Sequence, residues 1–231
     1  FNSDVLEDSF LIKRMIEAYP SQNRAIAERL APTVGVDPGR LFIANGATEA
    51  IQAIIHNYST HIHVNVPTFS PYYEFATGDH EVTTFTVDQS AGFVLDPVTY
   101  VDSVKQSRAD TAVLISPNNP DGYFIPIEEL RWILSQLSDL RTVVLDESFV
   151  HFAMECEPGQ LPTLATLADE FPNVSLVKSM SKDFGIAGIR AGYAVMNSAR
   201  VEELLDHGYL WNSNGIAEYF FSLFTRQAFL D

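Results

Sequence analysis

The segment SMSKDFGIAGIR, residues 179 to 190, sets one lysine beside two small hydroxyls, follows it with glycines on both sides of an apolar pair, and answers it with an arginine. A solvent-facing lysine needs no such company. A lysine placed near other cations and partly withdrawn from water loses proton affinity and becomes a usable amine, so Lys182 is a candidate Schiff-base nucleophile. Ser179, Ser181 and Arg190 could hold a phosphate beside it, the guanidinium through charge-assisted hydrogen bonds.

Four further clusters carry polar or aromatic groups of the kinds a ligand site uses. In NGATEAIQAII the glycine and two small residues, Gly46, Ala47 and Thr48, open a helix whose free backbone N–H groups and dipole favour an anion. In PTFSPYY, Phe69 or Tyr72 could stack on a planar ligand, although aromatics at such places also serve as plain packing. The prolines of SPNNPDG restrict its backbone and hold the amide of Asn118 or Asn119 in place. In RTVVLDES an apolar run ends on Asp146, a carboxylate that is costly to bury unless it meets a cation or hydrogen-bond donors.

The elements that must position these groups read as β-rich runs alternating with helical patterns, the mark of a mostly parallel sheet between two helical layers. Seven strands are expected: 41–44, 62–66, 82–87, 112–116, 142–146, 174–177 and 192–196. Pro126 suits a first helical turn ahead of Ile127, Leu130, Ile133, Leu134 and Leu137, and Ser198 is placed to cap a helix that Gly208 ends. Sheets of this kind bind ligands beyond the carboxyl ends of their strands, which is where all five clusters fall.

Composition narrows the partners. Apolar residues make up 46% of the 231 and charged ones 19%, with a formal net charge of −16, so neither nucleic acid nor an anionic membrane is expected as a partner. The single cysteine, Cys156, fits a cytoplasmic protein and is read as a packing or surface residue. His61 and His63 share one strand face without a third ligand in view, so no metal site is expected. Glu147 is read as a local hydrogen-bonding partner, and His151 as a neighbour of the site in a supporting role.

Taken together, these segments resemble the class I and II aminotransferases, fold type I enzymes of pyridoxal 5'-phosphate (PLP). The resemblance runs from about residue 15 to the end of the chain and is nearest to histidinol-phosphate aminotransferases and threonine-phosphate decarboxylases. It implies a three-layer α/β/α large domain over 21–208, an amino-terminal segment over 1–20, and a connection over 209–231 toward a small carboxy-terminal domain that the sequence lacks, so that the working enzyme is longer than this chain. It implies that Lys182 forms a Schiff base with PLP and later moves a proton at the substrate α-carbon, that Asp146 pairs with the pyridinium nitrogen, and that Asn119 bonds the ring oxygen O3′. It makes Phe69 the stacking ring, with Tyr72 as the alternative, while Gly46, Ala47, Thr48, Ser179, Ser181 and Arg190 surround the cofactor phosphate. AYPSQNRAIAERLA is similar to a segment whose tyrosine reaches a partner subunit's cofactor, which assigns Tyr19 that role in a homodimer. LWNSNGIAEYF resembles a segment whose asparagine contacts substrate, placing Asn212 there.

One position departs from many transaminases of the group, which carry a tyrosine where this chain has Phe149. Without that hydroxyl Asn119 alone supports O3′, and the lysine–cofactor linkage should have a higher pKa. The resulting expectation is an aminotransferase acting on a small amino acid or amino-alcohol phosphate. The alternatives are a PLP-dependent decarboxylase of a phosphorylated amino acid, since a phenylalanine there is familiar from phosphothreonine decarboxylase-like members, and a non-catalytic module of a longer protein.

Overall fold

The computed structural model describes residues 9–154 and 162–226. Its centre is one seven-stranded sheet of β1 (Leu41–Asn45), β2 (His61–Val66), β3 (Glu81–Thr86), β4 (Thr111–Ile115), β5 (Thr142–Asp146), β6 (Val174–Ser179) and β7 (Ala191–Val195). The order is β1-β7-β6-β5-β4-β2-β3, and only β7 runs against its neighbours. All seven expected strands form within a residue or two of their expected ends.

Alternation along the strands separates two apolar layers. On one face Leu114, Leu145 and Leu176 meet α2 (Asn23–Val34), α5 (Pro97–Ser107), α6 (Ile127–Gln136), α7 (Ala165–Glu170) and α9 (Gly215–Phe224) in one core. On the other, Val113, Val144 and Val177 meet α3 (Ala47–Tyr58) and α8 (Ser198–Asp206). α1 (Ser9–Glu17) precedes these and α4 (Pro71–Glu74) follows β2. Continuously buried β4, β5, β6 and β7 need apolar side chains on both faces, which is why their sequences read as uninterrupted apolar runs.

Two capping expectations change. α8 is capped by Asn197, whose side chain accepts from the Ala199 N–H, so Ser198 is already the first helical residue. Pro126 lies one residue ahead of α6 with extended ψ of 137°, which serves the same end as a first-turn proline because the missing N–H falls where no intrahelical bond is made. Cys156 lies outside the described residues. Among the described residues no helix is long and apolar enough to cross a membrane.

Candidate active site

Where the carboxyl ends of β4, β5 and β6 meet the turns after β1 and β2, a cavity of about 230 Å³ opens. It brings together ten of the residues singled out from sequence: Ala47, Thr48, Phe69, Asn119, Asp146, Phe149, Ser179, Ser181, Lys182 and Arg190. Ile115, Ser148 and Ala187 complete the lining.

One end of the cavity is built for an anion. Gly46 adopts φ 79° and ψ 166°, a region that strains any residue with a side chain, and turns β1 directly into α3. A Cβ there would stand 2.5 Å from Arg190 Nη2, so the glycine is also what lets the guanidinium come close. Gly192 permits the complementary approach, because its Cβ would meet the Ala47 nitrogen at 2.6 Å. Arg190 itself lies in the left-handed region at φ 56°, and its Nη2 donates to Thr48 Oγ1 at 3.4 Å. Beside them Ser181 Oγ is buried and has no hydrogen-bond partner among the described residues. A polar atom left so is costly without a ligand, and a phosphate on the Ala47 N–H, the hydroxyls and Arg190 would satisfy it.

At the floor stands Asp146, buried, accepting from the Ser148 N–H at 2.8 Å and from the Tyr72 hydroxyl at 2.7 Å. Burial pushes its carboxyl up from the usual range, while Ser148, Tyr72 and the charge of Lys178 oppose that push. A buried carboxylate with two donors and room for a cation suits a pyridinium nitrogen. Lys182 Nζ lies 5.7 Å from the centre of the Phe149 ring, across the cavity wall. The donor set therefore fits PLP: an anion cup at one end, a carboxylate at the floor and an amine between.

Four of the residues singled out lie apart from this lining. Tyr72 is fully buried and reaches the site only through Asp146, with Phe69 meeting it edge-on at 6.4 Å. Gly46 acts through its backbone. Asn212 lies near Glu49 and lines a separate crevice with Tyr209 and Ser213. Tyr19 is 90% exposed and meets Trp211 edge-on at 5.8 Å. Ser148 went unremarked in the sequence, although it follows Asp146 by two residues; its hydroxyl accepts from the Ser179 N–H at 3.0 Å and ties β5 to the lysine segment. The histidines of β2 both meet the Thr83 hydroxyl, His61 at 3.0 Å and His63 at 2.8 Å. Glu147 is fully buried and accepts from Thr163 and the Leu164 N–H, and burial pushes it up to about 7.

The arrangement is that of a PLP enzyme, and the family model for aminotransferase class I and II matches residues 10–221; the chain belongs to this PLP-dependent family. The L-serine phosphate decarboxylase of Campylobacter jejuni is 46% identical over 227 residues, 98% of this chain and 58% of that protein. That of Sulfurospirillum multivorans is 42% identical over 94% of this chain and 56% of its own. A solved structure described as a decarboxylase from Sulfurospirillum multivorans superposes with a TM-score of 0.89 at 40% identity, covering 98% of this chain and 59% of that one. A histidinol-phosphate aminotransferase, from Thermococcus gammatolerans, is 33% identical over 77% of this chain and 48% of its own. The chain thus spans somewhat over half the length of the decarboxylases it resembles.

These relatives overturn the expectation of an aminotransferase, and with it the placing among transferases of nitrogenous groups. Identity to the serine phosphate decarboxylases is higher and reaches over nearly the whole chain. The motifs misled because they hold PLP, and transamination and decarboxylation use the same cofactor pose.

Proposed function

We propose that this chain is the PLP-binding part of a decarboxylase, a lyase, acting on a phosphorylated small amino acid of the O-phospho-L-serine class. The observation that carries this reading is the 46% identity to an L-serine phosphate decarboxylase over 98% of the chain, in which the cavity-lining residues lie. Phe149 supports it, because the wall beside Lys182 lacks the hydroxyl that many transaminases of the group place there.

Bound in the cavity, PLP supplies an aldehyde for the substrate amine and a ring that accepts the electron pair left at the α-carbon. Arg190, Thr48, Ser181 and the Ala47 N–H hold its phosphate. Asp146, with Ser148 and Tyr72 as its donors, pairs with the protonated ring nitrogen, and Asn119 bonds the ring oxygen. Phe69 covers the ring face. The bond that breaks joins the α-carbon to the carboxylate carbon; CO₂ leaves without the electron pair, and Lys182 Nζ delivers a proton to the α-carbon. Lys182 and Arg190 are the two cations of the described lining, and both are engaged by the cofactor. The substrate's own phosphate is therefore gripped by groups beyond this lining.

In the same reading the protein is a cytoplasmic homodimer in which the exposed Tyr19 enters the partner's site. Residues 209–231 lead toward a further domain, and Asn212 is a substrate contact. The full-length, cofactor-loaded protein given O-phospho-L-serine should release CO₂ and a phosphorylated amine in equal amounts, without keto acid. Keto acid formed with a 2-oxo acid acceptor, and no CO₂, would refute the reading.

A further inference from the structure

Behind the cavity lining lies a second lysine, whose charge opposes the rise of the Asp146 carboxyl. Lys178, on β6 four residues before Lys182, points to the opposite face of the sheet from Ser179, into the layer of Leu176 and Tyr193. It is 2% exposed, and its Nζ lies 2.6 Å from Oδ2 of Asp183, whose side chain is 1% exposed. Asp183 immediately follows the reactive lysine.

A carboxylate so buried needs compensation, and Lys178 is its source. Apart from the Lys178 ammonium, neither Asp183 oxygen meets a hydrogen-bond donor among the described residues. His151 Nε2 lies 3.7 Å from the same oxygen, but burial and the charge of Lys178 push His151 down to about 4, so it is neutral at neutral pH. Lys178 Nζ also donates to the Glu147 carbonyl at 3.4 Å. The ion pair therefore ties the end of β6 to the turn beyond it.

The next residue is fixed as well. Phe184 packs on Phe220 and Phe224 of α9, with ring centres 5.3 and 5.5 Å apart, and meets the His151 ring at 6.1 Å. The turn closes on itself through the Ile186 N–H, which donates to the Ser181 carbonyl at 3.2 Å. Asp183 and Phe184 are thus both anchored in the core layer, while Lys182 lines the cavity.

We propose that Lys178 is a positioning residue for Lys182, and that its buried ion pair with Asp183 fixes the turn so that the reactive amine is presented to the cofactor aldehyde. The pair stabilises no reacting atom itself; it restricts where Lys182 Nζ can be. This rests on the PLP reading of the site but not on which bond of the substrate breaks.

The test follows formation of the covalent Lys182–PLP linkage in full-length protein stripped of cofactor, by its visible absorption, with thermal midpoints recorded alongside. Asp183→Asn should slow linkage by roughly ten- to a hundredfold, the range a misplaced reacting group can cost. The double variant K178M/D183N removes both members of the pair, so its thermal midpoint should return toward that of the unaltered protein while linkage stays slow. A purely structural pair would recover both together, and that result overturns the proposal, as does linkage in D183N within about twofold of the unaltered rate. Should D183N not fold, the double variant decides by the same criterion. If the unaltered protein itself formed no linkage, the PLP reading would fail and this one with it; normal linkage in the unaltered protein and in both variants removes the positioning role alone.

Discussion

Replacing Tyr72 with Phe deletes a hydroxyl that does not itself line the cavity, yet the loss should reach the cofactor. The hydroxyl lies 2.7 Å from Asp146 Oδ2, with both residues buried. A hydrogen bond to a charged acceptor is worth roughly 1.5–3 kcal/mol, and this one favours the ionised carboxylate against the burial that disfavours it. The Ser148 N–H still serves the other oxygen, so Asp146 is weakened as an anion but not stripped of donors. If an ionised Asp146 holds the pyridinium, as proposed, the dissociation constant of PLP should rise roughly ten- to a hundredfold at neutral pH. Titrating cofactor-free protein with PLP, by visible absorption and by calorimetry, measures this directly. A thermal scan checks that the phenylalanine variant is folded. A dissociation constant within about twofold of the unaltered protein would refute the chain of influence from hydroxyl to carboxylate to ring nitrogen.

Other outcomes follow from the same geometry. Gly46→Ala should cost roughly 1–3 kcal/mol in backbone strain and weaken PLP binding further by displacing Arg190, read as a lower thermal midpoint together with a raised dissociation constant. Phe149→Tyr restores a donor near the ring oxygen, so the spectral titration midpoint of the Lys182 linkage should fall by roughly one pH unit. Glu147 is raised from 4.5 to about 7, so its contribution to stability is full below pH 4.5 and lost as pH rises to about 7, and Glu147→Gln should remove about 3 kcal/mol of that pH dependence in urea unfolding. His151 has the opposite sign: lowered from 6.5 to about 4, it contributes stability above 6.5 that is lost as pH falls toward 4, and His151→Gln should flatten that limb.

What could be read from the sequence was local. Lys182, Ser181 and Arg190 stand within one segment, and Asp146 ends an apolar run, so short-range pattern and strand-end logic found them and the cavity unites them. The strands were legible because β4 to β7 are buried on both faces and admit little but apolar residues. Tyr72 as the donor to Asp146 was not legible, because the two stand 74 residues apart and meet only in the folded chain. The Lys178–Asp183 pair escaped notice for a different reason. A lysine in a strand of apolar residues reads as an exposed edge position until its burial is known. The reaction was the least legible part, since the residues that hold PLP leave open which bond at the α-carbon is broken, and the relatives, not the motifs, favour loss of the carboxylate.

The account depends most on a covalent bond between Lys182 and PLP. Reducing the cofactor-loaded protein with borohydride and mapping its peptides should place a pyridoxyl group on the segment SMSKDFGIAGIR at Lys182, with the label lost in Lys182→Ala. A label on Lys178 or on any other side chain, or no label in folded protein that has been given PLP, would contradict it.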